Sequence, residues 1–169
     1  MPANRIRGKL PIAAPTGPGS IPLCPHQACA FRCCDFKQAG WILLYPGEAN
    51  EAAVRGLSTK HLEVADPNYH GGHRVRCRAR DTAACDGGYK PLDCASYPLF
   101  PKPTSDTSPI TLTKGAGCPI LGTEIPQHQA YVLGLWQRLI KRKPDVLTWL
   151  RSVWNDGDIP GDPEDYVAL

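Results

Sequence analysis

Cysteine placement constrains this chain more than any other feature. Eight cysteines stand among 169 residues, and four of them, Cys24, Cys29, Cys33 and Cys34, fall within eleven positions. Cys77, Cys85 and Cys94 follow at wider spacing, and Cys118 closes the set. Thiols this crowded do not suit an ordinary core strand. A loop leading into a helical turn is the better expectation for residues 24–34, because Cys29, Cys33 and Cys34 then project from neighbouring positions.

Disulfides and metal ligation compete as the reason for so many thiols, and the compartment decides between them. The stretch beginning Met1-Pro2-Ala3-Asn4-Arg5 carries positive charge but no continuous apolar segment and no cleavage site of a signal peptide. No run approaches the roughly 18 apolar residues needed to cross a bilayer. The expectation is a cytoplasmic chain with no membrane partner. Thiols stay reduced there, and metal is the usual reason to keep many of them. Secretion by another route would make four disulfides the alternative.

Thiolate sulfur is a soft donor that selects zinc, copper(I) or iron in clusters. Eight thiols suffice for two four-cysteine sites, or for one four-iron cluster and a further site. Their spacing matches neither the C-x2-C knuckle of zinc ribbons nor the closely spaced run of bacterial ferredoxins. It indicates metal without choosing between zinc and iron, the iron as an ion or in an iron–sulfur cluster. Adjacent Cys33 and Cys34 point in different directions, so they serve two ions or opposite sides of one cluster. A thiolate-rich centre is anionic and needs cations or N–H donors nearby. Arg32 and the arginines around Cys77 are candidates, although Arg74, Arg76, Arg78 and Arg80 read first as a solvated strand face. His26, His70 and His73 read as exposed loop histidines, with replacement of a thiol, or donation to one, as the alternative. His61 and His128 have no supporting context.

Outside the cysteines, residues 1–23 carry five prolines and read as an extended arm. Trp41 to Tyr45 is a short apolar run bounded by Gly40 and by Pro46-Gly47, as a buried strand would be. Ala52, Ala53, Val54 and Leu57 recur at near-helical spacing. Glu48 and Glu51 suit the first turn of that helix, where negative charge is favoured. From His73 onward Val75, Cys77 and Ala79 share one face of a strand and the arginines share the other. Asp86-Gly87-Gly88 reads as a turn, giving a hairpin with Cys77 and Cys85 near its tip. Lys90 to Cys94 reads as an irregular return, Pro101 to Pro109 as a polar loop, and Ile110 to Thr113 as a brief strand.

The last third is the clearest helical material. Tyr131, Val132, Leu135, Trp136, Leu139 and Ile140 form one face after Pro126, and Pro144 stops the helix. Asp145 is expected to cap a second helix with Val146, Trp149, Leu150 and Val153 buried.

These readings predict a small, loop-rich α+β domain stapled by metal and carrying a C-terminal helical pair. Its parts are an arm over residues 1–23, a cysteine-cluster metal-binding domain over 24–120, and helices over 121–169 packed on the same domain. A net charge of +3 gives no reason to expect a nucleic-acid partner. No glycine-rich phosphate loop and no G-x-S-x-G elbow is present, so a conventional serine hydrolase is not supported.

The order Cys24, Cys29, Cys33-Cys34, then Trp41-Ile42-Leu43-Leu44, then Cys77, Cys85, Lys90-Pro91, Cys94 and Tyr97-Pro98 resembles the YkgJ-type cysteine-cluster family, described as a zinc- or iron-chelating domain. The resemblance covers roughly residues 24–120, with Lys90 where that family commonly has arginine. It implies metal chelation by the cysteines and no particular reaction. An iron–sulfur redox or modification enzyme and a zinc-stabilised module that docks a protein partner are the competing expectations.

Overall fold

A computed structural model describes residues 41–81, 84–105, 109–115, 126–157 and 166–168. The expected arm, the cysteine block of residues 24–34 with His26, and Cys118 lie outside the described residues.

The apolar run at Trp41 forms β1 (Ile42–Leu44), with all three residues buried. Its side chains alternate between two apolar clusters. Ile42 and Leu44 join Leu62 and Val75, while Leu43 and the following Tyr45 join the larger core. A strand buried on both faces is unbroken in its hydrophobicity, which is why it reads so clearly in sequence. The helix predicted after it is α1 (Glu48–Val54), entered through Gly47 at φ 84°. Only part of the expected stripe is inside. Ala52 is fully buried, whereas Val54 is 76% exposed.

Two strands complete the first sheet, β2 (Leu62–Tyr69) and β3 (Gly72–Cys77), in the order β1-β3-β2 with both pairings antiparallel. The hairpin therefore differs from the expected one. It joins β2 to β3 through His70 (φ 52°) and Gly71 (φ 87°). Positive φ at both central residues gives the handed twist that a two-residue hairpin needs. Cys77 lies at the opposite end of β3, paired with Leu62. Asp86 and Gly87 lie instead in a single 3₁₀ turn, Cys85–Gly87, which ends at the extended Gly88.

The stretch expected as an irregular return contains a short helix, α2 (Leu92–Ser96), and the expected polar loop begins as a strand, β4 (Leu99–Pro103). The brief strand at Ile110 is β5 (Ile110–Gly115), antiparallel to β4 and to β6 (Tyr166–Ala168), giving the order β4-β5-β6.

The helical pair is α3 (Pro126–Arg142) and α4 (Asp145–Asn155). Val132, Leu135, Trp136, Leu139 and Ile140 of α3 are buried, as are Val146, Trp149, Leu150 and Val153 of α4. Pro144 rather than Asp145 occupies the cap position of α4; Asp145 is its first residue, an acid placed at the positive end of the dipole. Both helices share one core with Leu99, Ile110 and Leu112 of the second sheet and with Leu43 and Tyr69 of the first.

Tryptophans, two buried and one half-buried, lock these layers through their ring N–H groups, since an indole N–H taken from water needs an acceptor. Trp136 Nε1 donates to Ser96 Oγ at 2.8 Å. Trp149 Nε1 donates to Tyr69 O at 3.3 Å and Trp154 Nε1 to Pro101 O at 2.8 Å. The hairpin tip is tied to the end of α4 by His70 Nε2 and Asp156 Oδ2 at 2.7 Å.

Gly72 is wedged between β1 and the Trp149 indole of α4. A Cβ added there would stand 2.3 Å from Leu44 O and 2.9 Å from Trp149 Nε1. Backbone and a buried indole cannot both yield, so Gly72→Ala is expected to destabilise the fold by about 2 kcal/mol or more, as overpacked sites do. A urea midpoint equal to that of the parent chain would contradict the packing described here.

Candidate functional site

Three of the eight predicted ligands lie in the described residues, on three different elements: Cys77 ends β3, Cys85 opens the 3₁₀ turn, and Cys94 lies in α2. All three are free thiols and partly buried. Cys77 and Cys94 pack against the smaller apolar cluster of Ile42, Leu44, Leu62 and Val75.

The thiols also act on one another. Burial pushes Cys94 well above the ordinary thiol range, and Cys77 and Cys85 push it further in the same direction. Cys85 is raised chiefly by burial, with Cys77 adding to the effect. Lys90 opposes both shifts, so an ammonium group bears on Cys85 and Cys94 together. Burial likewise raises Cys77, but its sulfur accepts the Ala79 N–H at 3.4 Å, which favours the thiolate. Among the described residues, no three His, Cys, Asp or Glu side chains form a group that could hold a metal ion.

The loop carrying Cys85 has an unusual backbone. Cys85, Asp86 and Gly87 follow one another at φ 50°, 53° and 72°. The left-handed region costs a residue with a Cβ roughly 1–2 kcal/mol. Asp86 helps to hold this shape. Its carboxylate accepts the N–H of Asp81 at 2.7 Å and that of Arg80 at 3.0 Å, and these bonds keep it below the usual carboxylate range.

Beneath the thiols lies a pair of buried acids that the sequence did not single out. Glu48 is fully buried, although its place in the first turn of α1 suggested a solvent-facing partner of the helix dipole. Its Oε1 accepts from Tyr89 O–H and from Leu92 N–H, each at 2.7 Å, and its Oε2 from Tyr45 N–H at 3.0 Å. Asp93 Oδ2 accepts the Leu43 N–H at 2.9 Å. Burial dominates both groups and pushes each carboxyl up to about 7, with the donors pulling the other way. Tyr45 and Tyr89 are raised by burial and by the Glu48 charge.

The histidines divide by environment. His70 is exposed and engaged with Asp156 rather than with a thiol. His73 is not in a loop; it lies in β3 opposite Leu44, its Nδ1 buried with no partner among the described residues. His61, which has no supporting context in the sequence, is 6% exposed, and its Nε2 is also without a described partner. Burial lowers its pKa. His128 is a core histidine, with Nε2 3.0 Å from Ser96 O and 3.2 Å from Tyr97 O.

The arginines of β3 follow the outward face, but not as freely solvated charges. Arg76 lies 4.0 Å and Arg74 5.7 Å from the Trp41 ring, Arg74 also lies 4.2 Å from the Tyr69 ring, and Arg78 pairs with Glu63.

Removing the Glu48 carboxylate leaves two backbone N–H groups and a phenol without their acceptor. Glu48→Ala is therefore expected to cost about 3 kcal/mol in denaturant unfolding. The pH dependence has a definite sign. An acid whose folded pKa is raised binds its proton more tightly in the folded state, so stability is greatest below the unfolded pKa and falls as pH rises towards about 7. Across that window the parent should lose on the order of 3 kcal/mol relative to Glu48→Gln, read from urea midpoints at several pH values. Parallel pH profiles would overturn this assignment.

No protein-family model, no curated protein and no solved structure matches this chain.

Proposed function

We propose that the chain is a metal-binding protein that chelates zinc or iron through its cysteines, the iron as an ion or in an iron–sulfur cluster. The observation that carries this reading is that Cys77, Cys85 and Cys94 bear on one another electrostatically, although among the described residues they do not by themselves make up a metal-holding group. Three successive elements of the chain bring three free thiols within electrostatic reach of one another. Deprotonating these thiols together is unfavourable, because each thiolate raises the cost of the next. A soft cation removes that cost.

Two further features support the reading. Lys90 and the Ala79 N–H already lie where they offset negative charge on sulfur. The left-handed backbone at Cys85 and Asp86 is of the kind that persists where a side chain must be aimed at a site. Cys24, Cys29, Cys33, Cys34 and Cys118 are proposed as the remaining donors.

The test is elemental analysis of the full chain after anaerobic purification. Stoichiometric zinc in a colourless protein, or iron with or without broad visible absorbance, is the expected result. Cys77→Ser, Cys85→Ser and Cys94→Ser should each lower the metal content and the thermal midpoint. A folded, metal-free protein that gains no stability from added zinc or iron under reducing conditions would sink the proposal.

A further inference from the structure

A groove between β4 and α4 carries a chemistry unrelated to the thiols. It encloses about 460 Å³ and is lined by Lys102, Thr104, Ser105, Arg151, Trp154 and Asn155, together with Pro103. That volume falls in the range of small-molecule sites. Among the described residues of the lining, Lys102 and Arg151 are the only charged groups, and both are cations. Neither has a carboxylate partner among the described residues. Two hydroxyls and an amide supply further hydrogen-bonding groups around them.

Trp154 gives the groove an apolar wall. Its ring is held in place by the Nε1 bond to Pro101 O at 2.8 Å, and the Lys102 ammonium lies 5.6 Å from the ring centroid. A fixed indole beside two cations suits a ligand that combines a flat ring with a negative group. The ring stacks on the indole, and the anion meets Lys102 and Arg151.

We propose that this groove binds a small organic anion in which a phosphate or carboxylate is joined to a flat ring. The site uses none of the cysteines, so it stands apart from the metal reading.

The experiment titrates the full-length protein separately with adenosine monophosphate, benzoate and inorganic phosphate, following the indole N–H resonances by NMR. The Trp154 indole signal is expected to shift with adenosine monophosphate or with benzoate, and which of them binds tells phosphate from carboxylate recognition. Lys102→Glu/Arg151→Glu alters two exposed side chains and should weaken that binding at least tenfold while leaving the thermal midpoint unchanged. Three results would overturn the proposal: no shift with either ring compound at millimolar concentration, equal affinity for inorganic phosphate, or unchanged affinity in the double variant.

Discussion

The described fold depends on one buried carboxylate. Glu48 accepts hydrogen bonds from the residue after β1, from the tyrosine preceding α2, and from the first turn of α2 itself. Asp93 repeats the connection in the other direction by accepting from the Leu43 N–H. Two acids thus fasten β1 to α2. A five-residue helix is far too short to persist alone, since helix nucleation is costly and few hydrogen bonds repay it. The length of α2 makes sense only with its first amide, that of Leu92, held by Glu48 and with most of its residues packed inside.

A third, more exposed acid extends the same logic to the C-terminal pair. Glu51 accepts from Tyr45 O–H at 2.8 Å and from Lys143 Nζ at 3.0 Å, with Arg142 at 3.5 Å. Lys143 also donates to Pro46 O at 2.8 Å. The basic cluster at the end of α3, which the sequence explains as a response to the helix dipole, is therefore also what holds α3 to α1. The acids divide by depth. Glu51 is paired with cations and held below the usual carboxylate range by those partners, whereas Glu48 meets only neutral donors and is raised.

How much of this was legible follows from the range of the interactions involved. The two C-terminal helices declare themselves through local periodicity, and Pro144 between them breaks the chain where a proline must. β1 is legible because it is apolar on both faces. β2 is not, for it contains Asp66, Pro67 and Asn68, most of its residues are exposed, and its register shifts twice against β3. The hairpin was misplaced because Asp86-Gly87-Gly88 has stronger turn chemistry than His70-Gly71. The acid pair was hidden for a different reason. An acid in a helix's first turn ordinarily faces water, and nothing near Glu48 in sequence reveals that Tyr89 and Leu92 deliver their protons from more than forty residues away. The cysteines are intermediate: they stand out as a set, but the elements that carry Cys77, Cys85 and Cys94, and the partial burial of those thiols, are not encoded in their spacing.

The double-sided burial of β1 has a consequence for how the molecule opens. Its three residues reach into both apolar clusters, and its Leu43 amide proton is donated to a buried carboxyl. No small fluctuation exposes that proton to solvent, because freeing it means separating β1 from α2 and disturbing both clusters at once. Amide hydrogens of Ile42 to Leu44 then exchange only through the largest cooperative opening, while those of β2, mostly exposed and irregularly paired, exchange through local fraying. A strand of three residues thereby sets the slowest clock in the described part of the chain.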